Sequence, residues 1–128
     1  MKPELTVLVW AVALSFVQVL IAVQGAMMQV GLTTLVGNRE KFPELTGWAG
    51  RADRAHRNMT ANLVLFAALV LAAVAADRTN NMTLVGAELF LWARVAYAIV
   101  YLLGLPWLRT GVWTVSVVGL ILIFGQLL

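Results

Sequence analysis

Three stretches of this chain, residues 5–23, 63–76 and 112–124, contain no charged side chain at all. A water-soluble core built from 128 residues could not shelter all three. The composition agrees: 62% of the residues are hydrophobic and 12% charged, against ~45–50% and ~25% in soluble domains. The chain therefore reads as an integral membrane protein. A bilayer core of ~30 Å takes about 20 apolar residues per helix, which places spans near 5–28, 60–76, 83–103 and 110–127. Four such helices use the whole length, so the expected fold is a single all-α domain over residues 1–128, a four-transmembrane-helix bundle.

The same inventory excludes several chemistries. With no cysteine the protein has no disulfide framework, thiolate metal site or catalytic thiol of its own. One histidine and six scattered carboxylates leave no metal cage. The serines, Ser15 and Ser116, both lie in apolar helices, which argues against a Ser/His/Asp nucleophile. A net charge of +3 is accompanied by no basic and aromatic tract of the kind that binds nucleic acid. The surplus is membrane topology.

The first apolar pattern continues to about Val36, and at ~1.5 Å per residue a helix of that length exceeds the bilayer core, so it should tilt or project. Gly37-Asn38 is a natural stop. Glu4 balances the charged start, and the apolar stretch is longer than the ~7–15 residues of a signal peptide, so this span is expected to be retained. Ser15, Gln18, Ala22, Gly25 and Gln29 fall on one helical stripe, as do Ala68, Ala72 and Ala76 in the second span. Small and amide side chains at this spacing suit helix packing in lipid. Pro43, Gly47 and Gly50 are expected to break any long helix in the 37–58 loop, and Trp48 suits the membrane interface.

Intramembrane ionisable groups carry the functional information, because an arginine at mid-depth costs ~2.5–3.5 kcal/mol on insertion scales. Arg94 is such a group, with Tyr97 and Tyr101 at i+3 and i+7 on its face. Glu88 or Gln18 would be its partner in a purely structural role. The second helix is expected to begin in the run from Arg51 to Asn58, where Arg54 and Asn58 share a face and His56 suits an interfacial hydrogen bond. Arg109-Thr110 opens the fourth, with Trp113 one turn further in. The cations Arg54, Arg57, Arg94 and Arg109 converge on one leaflet with only Asp53 as a nearby acid. Such a pocket favours an anionic or amphiphilic ligand.

These residues carry a resemblance to the MAPEG family, the membrane-associated proteins in eicosanoid and glutathione metabolism. Arg54-Ala55-His56-Arg57-Asn58 resembles the family's R-A-H-x-N signature. Arg94-Val95-Ala96 with Tyr101 resembles its R-V-A-x-x-x-x-Y pattern, and Leu108-Arg109-Thr110 its third block. The resemblance implies a left-handed bundle assembled as a homotrimer in contact with membrane lipids, with glutathione held between subunits as cosubstrate for a lipophilic small molecule. Carried over, Arg57, Asn58, Tyr101, Arg109 and Thr110 would hold glutathione. Arg109, Thr110 and Tyr101 would act on its thiol, and Arg54, Arg94, Tyr97 and Trp113 would complete the site. The implied activity is that of a glutathione transferase or peroxidase acting on lipophilic electrophiles or lipid hydroperoxides.

Three positions depart from the pattern. Glutathione-binding members carry Glu three residues beyond the signature Asn, where this chain has Ala61. Tyr97 and Trp113 stand where prostaglandin-synthase-like members have His and Tyr. The missing Glu would have accepted from the tripeptide's ammonium, and Asp53 is not at an equivalent position. A non-catalytic protein that binds lipid or another anionic amphiphile on the same trimeric scaffold is the alternative expectation.

Basic residues concentrate on the cytoplasmic side of membrane proteins. Arg39, Lys41, Arg51, Arg54, Arg57 and Arg109 fall on one side, Lys2 and Arg78 on the other. Both termini should therefore lie outside the cytoplasm, in the plasma membrane, or the inner membrane of a bacterium. A reporter at the C-terminus is expected to be active only when exported, and one inside the 37–58 loop only in the cytoplasm. A C-terminal fusion active in the cytoplasm would reverse the topology.

Overall fold

Helices account for nearly all of the computed structural model, which describes residues 1–37 and 43–128. They are α1 (Pro3–Val36), α2 (Gly47–Ala75), α3 (Asn81–Leu103) and α4 (Pro106–Leu127). All four are long and apolar enough to cross a membrane, which makes this a multi-pass membrane protein. Arg39 and Lys41, two of the six basic residues expected on the inner side, and Asn38 of the expected helix stop lie outside the described residues.

Helices α2 and α3 form the central pair, with α1 and α4 at opposite corners. The core between them holds Val7 and Ala11 of α1, Phe66 and Val70 of α2, Ala87 and Phe90 of α3, and Leu120 and Ile123 of α4. Phe66 and Phe90 stack with centroids 4.2 Å apart and planes 13° from parallel. The closest backbone approach is between α3 and α4. A Cβ on Gly86 would lie 2.7 Å from the Gly119 carbonyl oxygen, and one on Gly119 would lie 2.6 Å from that of Gly86. In lipid, where apolar side chains gain little by leaving the solvent, such close packing is what holds helices together.

At the end of the bundle carrying both termini, Asn80 caps α3. Its side chain accepts from Met82 N at 2.8 Å and Thr83 N at 3.0 Å, while Thr83 Oγ1 accepts from Asn80 N at 2.8 Å. The Thr83 hydroxyl lies 2.7 Å from the buried Glu4 carboxyl, tying the start of α1 to the start of α3. Helix α3 ends in a left-handed Gly104 (φ 75°, ψ 34°), followed by Pro106 in the first turn of α4.

Four expectations change. Helix α1 reaches Val36 but breaks at Gly31, whose φ of 81° and ψ of 161° are not helical. Helix α2 starts at Gly47, four residues before the Arg51–Asn58 run in which it was expected to begin and well before the membrane span expected from 60. Gly47 and Gly50 do not break it, because Gly47 stands at its first residue and Gly50 makes room for the entering chain. A Cβ on Gly50 would lie 2.5 Å from Leu45 O. The added turns bury Ala49, Ala52, Ala55 and Met59 at near-helical spacing. Trp48 is only half free for an interface, since a Cβ on Gly25 of α1 would sit 3.0 Å from its ring. Ala68, Ala72 and Ala76 do not pack within the protomer; they are exposed, and the buried face of α2 there is Phe66, Val70 and Ala73. The α1 stripe does pack: Ser15, Gln18, Ala22 and Gly25 are buried. Gln29, though exposed, clamps Thr46, accepting from its N–H at 3.0 Å and donating to its carbonyl at 2.7 Å.

Gly119→Val is expected to destabilise the bundle by about 1–3 kcal/mol, the usual cost of overpacking. Gly125→Val, where a Cβ meets nothing within 4 Å, should leave it unchanged. Thermal unfolding of both variants in detergent checks the pair.

Candidate functional site

The motif residues meet at the end of the bundle opposite the termini. Arg94 is buried on α3, 1% exposed, and donates from Nη2 to Asn58 Oδ1 of α2 at 2.8 Å. Its guanidinium also lies over the Tyr97 ring, 4.2 Å from the centroid. Neither suggested partner fits. Glu88 is six residues away, which on a helix is a different face, and it accepts from Trp92 Nε1 at 3.0 Å. Gln18 Oε1 is buried without a hydrogen-bond partner, as are Arg94 Nε and Nη1, among the described residues.

Asn58 Oδ1 accepts from Asn62 Nδ2 as well, at 3.2 Å, and Asn62 Nδ2 lies 2.9 Å from the Asn58 carbonyl. With both donors on the oxygen, the Asn58 NH₂ is left to point elsewhere. One turn along α3, Tyr97 and Tyr101 meet edge to face at 5.5 Å. The Tyr101 hydroxyl accepts from Arg54 Nε at 3.3 Å, and the Arg109 guanidinium stands 4.5 Å from the Tyr101 centroid. Arg51, which the sequence did not single out for the site, donates from Nε to Leu102 O at 3.0 Å. It fixes the C-terminal end of α3 beside the tyrosines. A basic side chain near terminal helix carbonyls was the available signal.

Asn58, Tyr97, Arg109, Thr110 and Trp113 line one open cavity of about 160 Å³ between α2, α3 and α4. Tyr101, Arg94 and Arg54 stand behind it as support. Arg57 is not brought in. It is exposed and pairs with Asp53 Oδ2 at 3.1 Å, one turn back on α2. It lines a separate cavity of about 750 Å³ that also includes His56, Glu44 and Arg54. Positions 57 and 58 differ by one residue, hence by ~100° around the helix, and only Asn58 turns toward α3 and α4. His56 keeps to local hydrogen bonding: its carbonyl accepts from the Thr60 hydroxyl at 3.0 Å.

The cavity is a donor site. Its lining offers the Asn58 amide, a guanidinium, hydroxyls and an indole, and no carboxylate. Ala61, where the family pattern has Glu, is exposed on α2 and contributes nothing to the lining. The Thr110 hydroxyl is already engaged, donating to the Pro106 carbonyl at 3.1 Å. Its remaining capacity is as an acceptor, or as a donor after rotation. A cavity of this size is below the ~300 Å³ at which small-molecule pockets begin. A peptide-sized ligand needs further walls.

The model of the MAPEG family matches residues 5–128, essentially the whole chain. Comparison with curated proteins and with solved structures gives no match. With four membrane-spanning helices and a match of this extent, the chain belongs to the MAPEG family.

Proposed function

We propose that this MAPEG protein is a homotrimer that binds glutathione at the Asn58–Arg109 cavity and acts as a glutathione-dependent transferase or peroxidase on lipophilic electrophiles or lipid hydroperoxides. The observation that carries this reading is the donor-rich lining without a carboxylate, with Arg109 held over the Tyr101 ring. A nearby cation stabilises a thiolate, so Arg109 would draw the thiol proton off to water and keep the sulfur anionic. In a transfer, that sulfur bonds to the electrophilic carbon and the leaving group departs with its electron pair. With a hydroperoxide it attacks the terminal oxygen and breaks the O–O bond, the alkoxide leaves and takes a proton from water to become the alcohol, and a second glutathione attacks the sulfenic sulfur to give the disulfide and release water. A second subunit would supply the walls that one protomer lacks. The arginine-rich end faces the cytoplasm in this reading, with both termini outside.

A second reading is non-catalytic binding of a lipid or other anionic amphiphile. It is favoured by exposed Ala61 and by the absence of any carboxylate in the lining to accept from the ammonium of glutathione.

Calorimetric titration of detergent-solubilised trimer with glutathione and an S-alkyl glutathione separates the two. Saturable heat at millimolar ligand is expected, and its absence selects the second reading. Ala61→Glu is expected to tighten glutathione by about 1.5–3 kcal/mol, the range of a hydrogen bond to a charged group. Arg109→Leu is expected to raise the pKa of the bound thiol, read from thiolate absorbance. If both substitutions are neutral in folded trimer, the motif serves as scaffold and glutathione is not the ligand.

A further inference from the structure

A second groove lies between α1 and α3, and its chemistry is the opposite of the arginine pocket. It encloses about 820 Å³, lined among others by Trp10, Leu14, Val17, Leu91, Trp92 and Glu88; among the described residues its wall has no lysine or arginine side chain, and Met1 brings the chain's α-amino group to it. Leu14, Val17 and Val95 also line a smaller apolar cavity of about 170 Å³ that continues along α3 to Leu102. From Glu88 to Leu102 the helix rises ~21 Å, and the two cavities, which share these three residues, follow one another along it.

Among the described residues lining the two cavities, Glu88 is the only one with an ionisable side chain. It lies ~10 Å along α3 from the helix start, within the membrane-spanning segment. It has no ion pair among the described residues, and its one hydrogen bond is the Trp92 indole on Oε2 at 3.0 Å. A carboxylate at this depth calls for a counter-charge. Trp10 and Trp92, 63% and 65% exposed, line the same groove, and cations bind indole faces best among the aromatic side chains.

We propose that this groove binds a single-chain amphiphilic cation, an alkylammonium whose head group sits at Glu88 between Trp10 and Trp92 and whose tail runs along α3 toward Leu102. An anionic amphiphile would meet the carboxylate head on. A phospholipid would bring a phosphate to a wall with no lysine or arginine side chain, where only the α-amino group of Met1 could receive it. The site is independent of the glutathione reading, since it shares no residue with the Asn58–Arg109 cavity.

The test uses the full protein in phosphatidylcholine nanodiscs, titrated calorimetrically with dodecyltrimethylammonium below its micellar range. Dodecyl sulfate and dodecanol serve as anionic and neutral probes, and heats from protein-free discs are subtracted. Saturable binding is expected for the cation alone. Glu88→Gln, which keeps an oxygen for the Trp92 indole, should weaken it at least tenfold, and Trp10→Leu at least threefold. Asp77→Asn removes one negative charge at an exposed turn outside the groove and should change nothing. Glutathione heats should be the same in wild type and Glu88→Gln. Equal cation affinity in Glu88→Gln, comparable saturable binding of the sulfate, or no signal above protein-free discs would overturn the proposal. So would displacement of the cation when phosphatidylethanolamine replaces phosphatidylcholine, which would make the groove an aminophospholipid seat.

Discussion

The hydrogen bond from Arg94 to Asn58 sets the order of everything around it. A guanidinium on a membrane helix must find acceptors inside the protein, since the surrounding hydrocarbon supplies none. Here one bond to Asn58 Oδ1 and the Tyr97 ring face meet that need in part, and both lie on the side of α3 that faces α2 and α4. The bond fixes the height of α2 against α3 and turns the Asn58 amide so that its NH₂ faces away from Arg94. Asn62 reinforces the same orientation from one turn along α2. Removing the acceptor would leave a buried cation with no hydrogen bond, so Asn58 is structural and site-forming at once.

Above and below that bond the helices are joined by different means. Toward the termini the joints are close packing and capping: Gly86 against Gly119, Phe66 on Phe90, and Asn80 with Thr83 and Glu4. Toward the other end they are guanidinium contacts: Arg51 on the Leu102 carbonyl, Arg54 on the Tyr101 hydroxyl, Arg109 on the Tyr101 ring. The first set has tightly packed, self-satisfied polar atoms. The second uses long side chains that reach across open space, and there the cavity forms.

The four spans were legible because lipid demands long apolar helices, a signal that survives averaging over many residues. The full length of α2 was not legible in hydropathy, which counts charge and ignores its side, although the motif run from Arg51 came within four residues of its start. Arg51, Asp53 and Arg54 lower the average although Ala49, Ala52 and Ala55 beneath them make a buried face at helical spacing. The alanines at 68, 72 and 76 form a stripe that stays exposed within the protomer. Small residues on a stripe look like an interface, but the face that packs within one chain is chosen by the larger Phe66 and Val70. Of the site, Asn58, Tyr97, Arg109, Thr110 and Trp113 were found together as the motifs suggested, because each motif lies on a rigid helix of known register. Arg57 was not, since a neighbour in sequence is turned ~100° away and Asp53 offered it a nearer partner.

Helix α3 separates two environments of opposite charge preference. Arg94, Tyr97 and Tyr101 follow one another at three and four residues and face α2 and α4, where cations and donors gather. Glu88, Trp92 and Val95 follow at four and three and face α1, where a lone carboxylate stands among apolar walls. Glu88 and Arg94 are both in the span and only six residues apart, yet the helical repeat of 3.6 keeps them from neutralising one another. Had the acid stood at three or four residues from the arginine, an ordinary intrahelical pair would have absorbed both charges. Because it does not, each charge must be met from outside α3. Asn58 meets the cation in part, and the carboxylate is left facing the lipid-exposed groove with only an indole as donor.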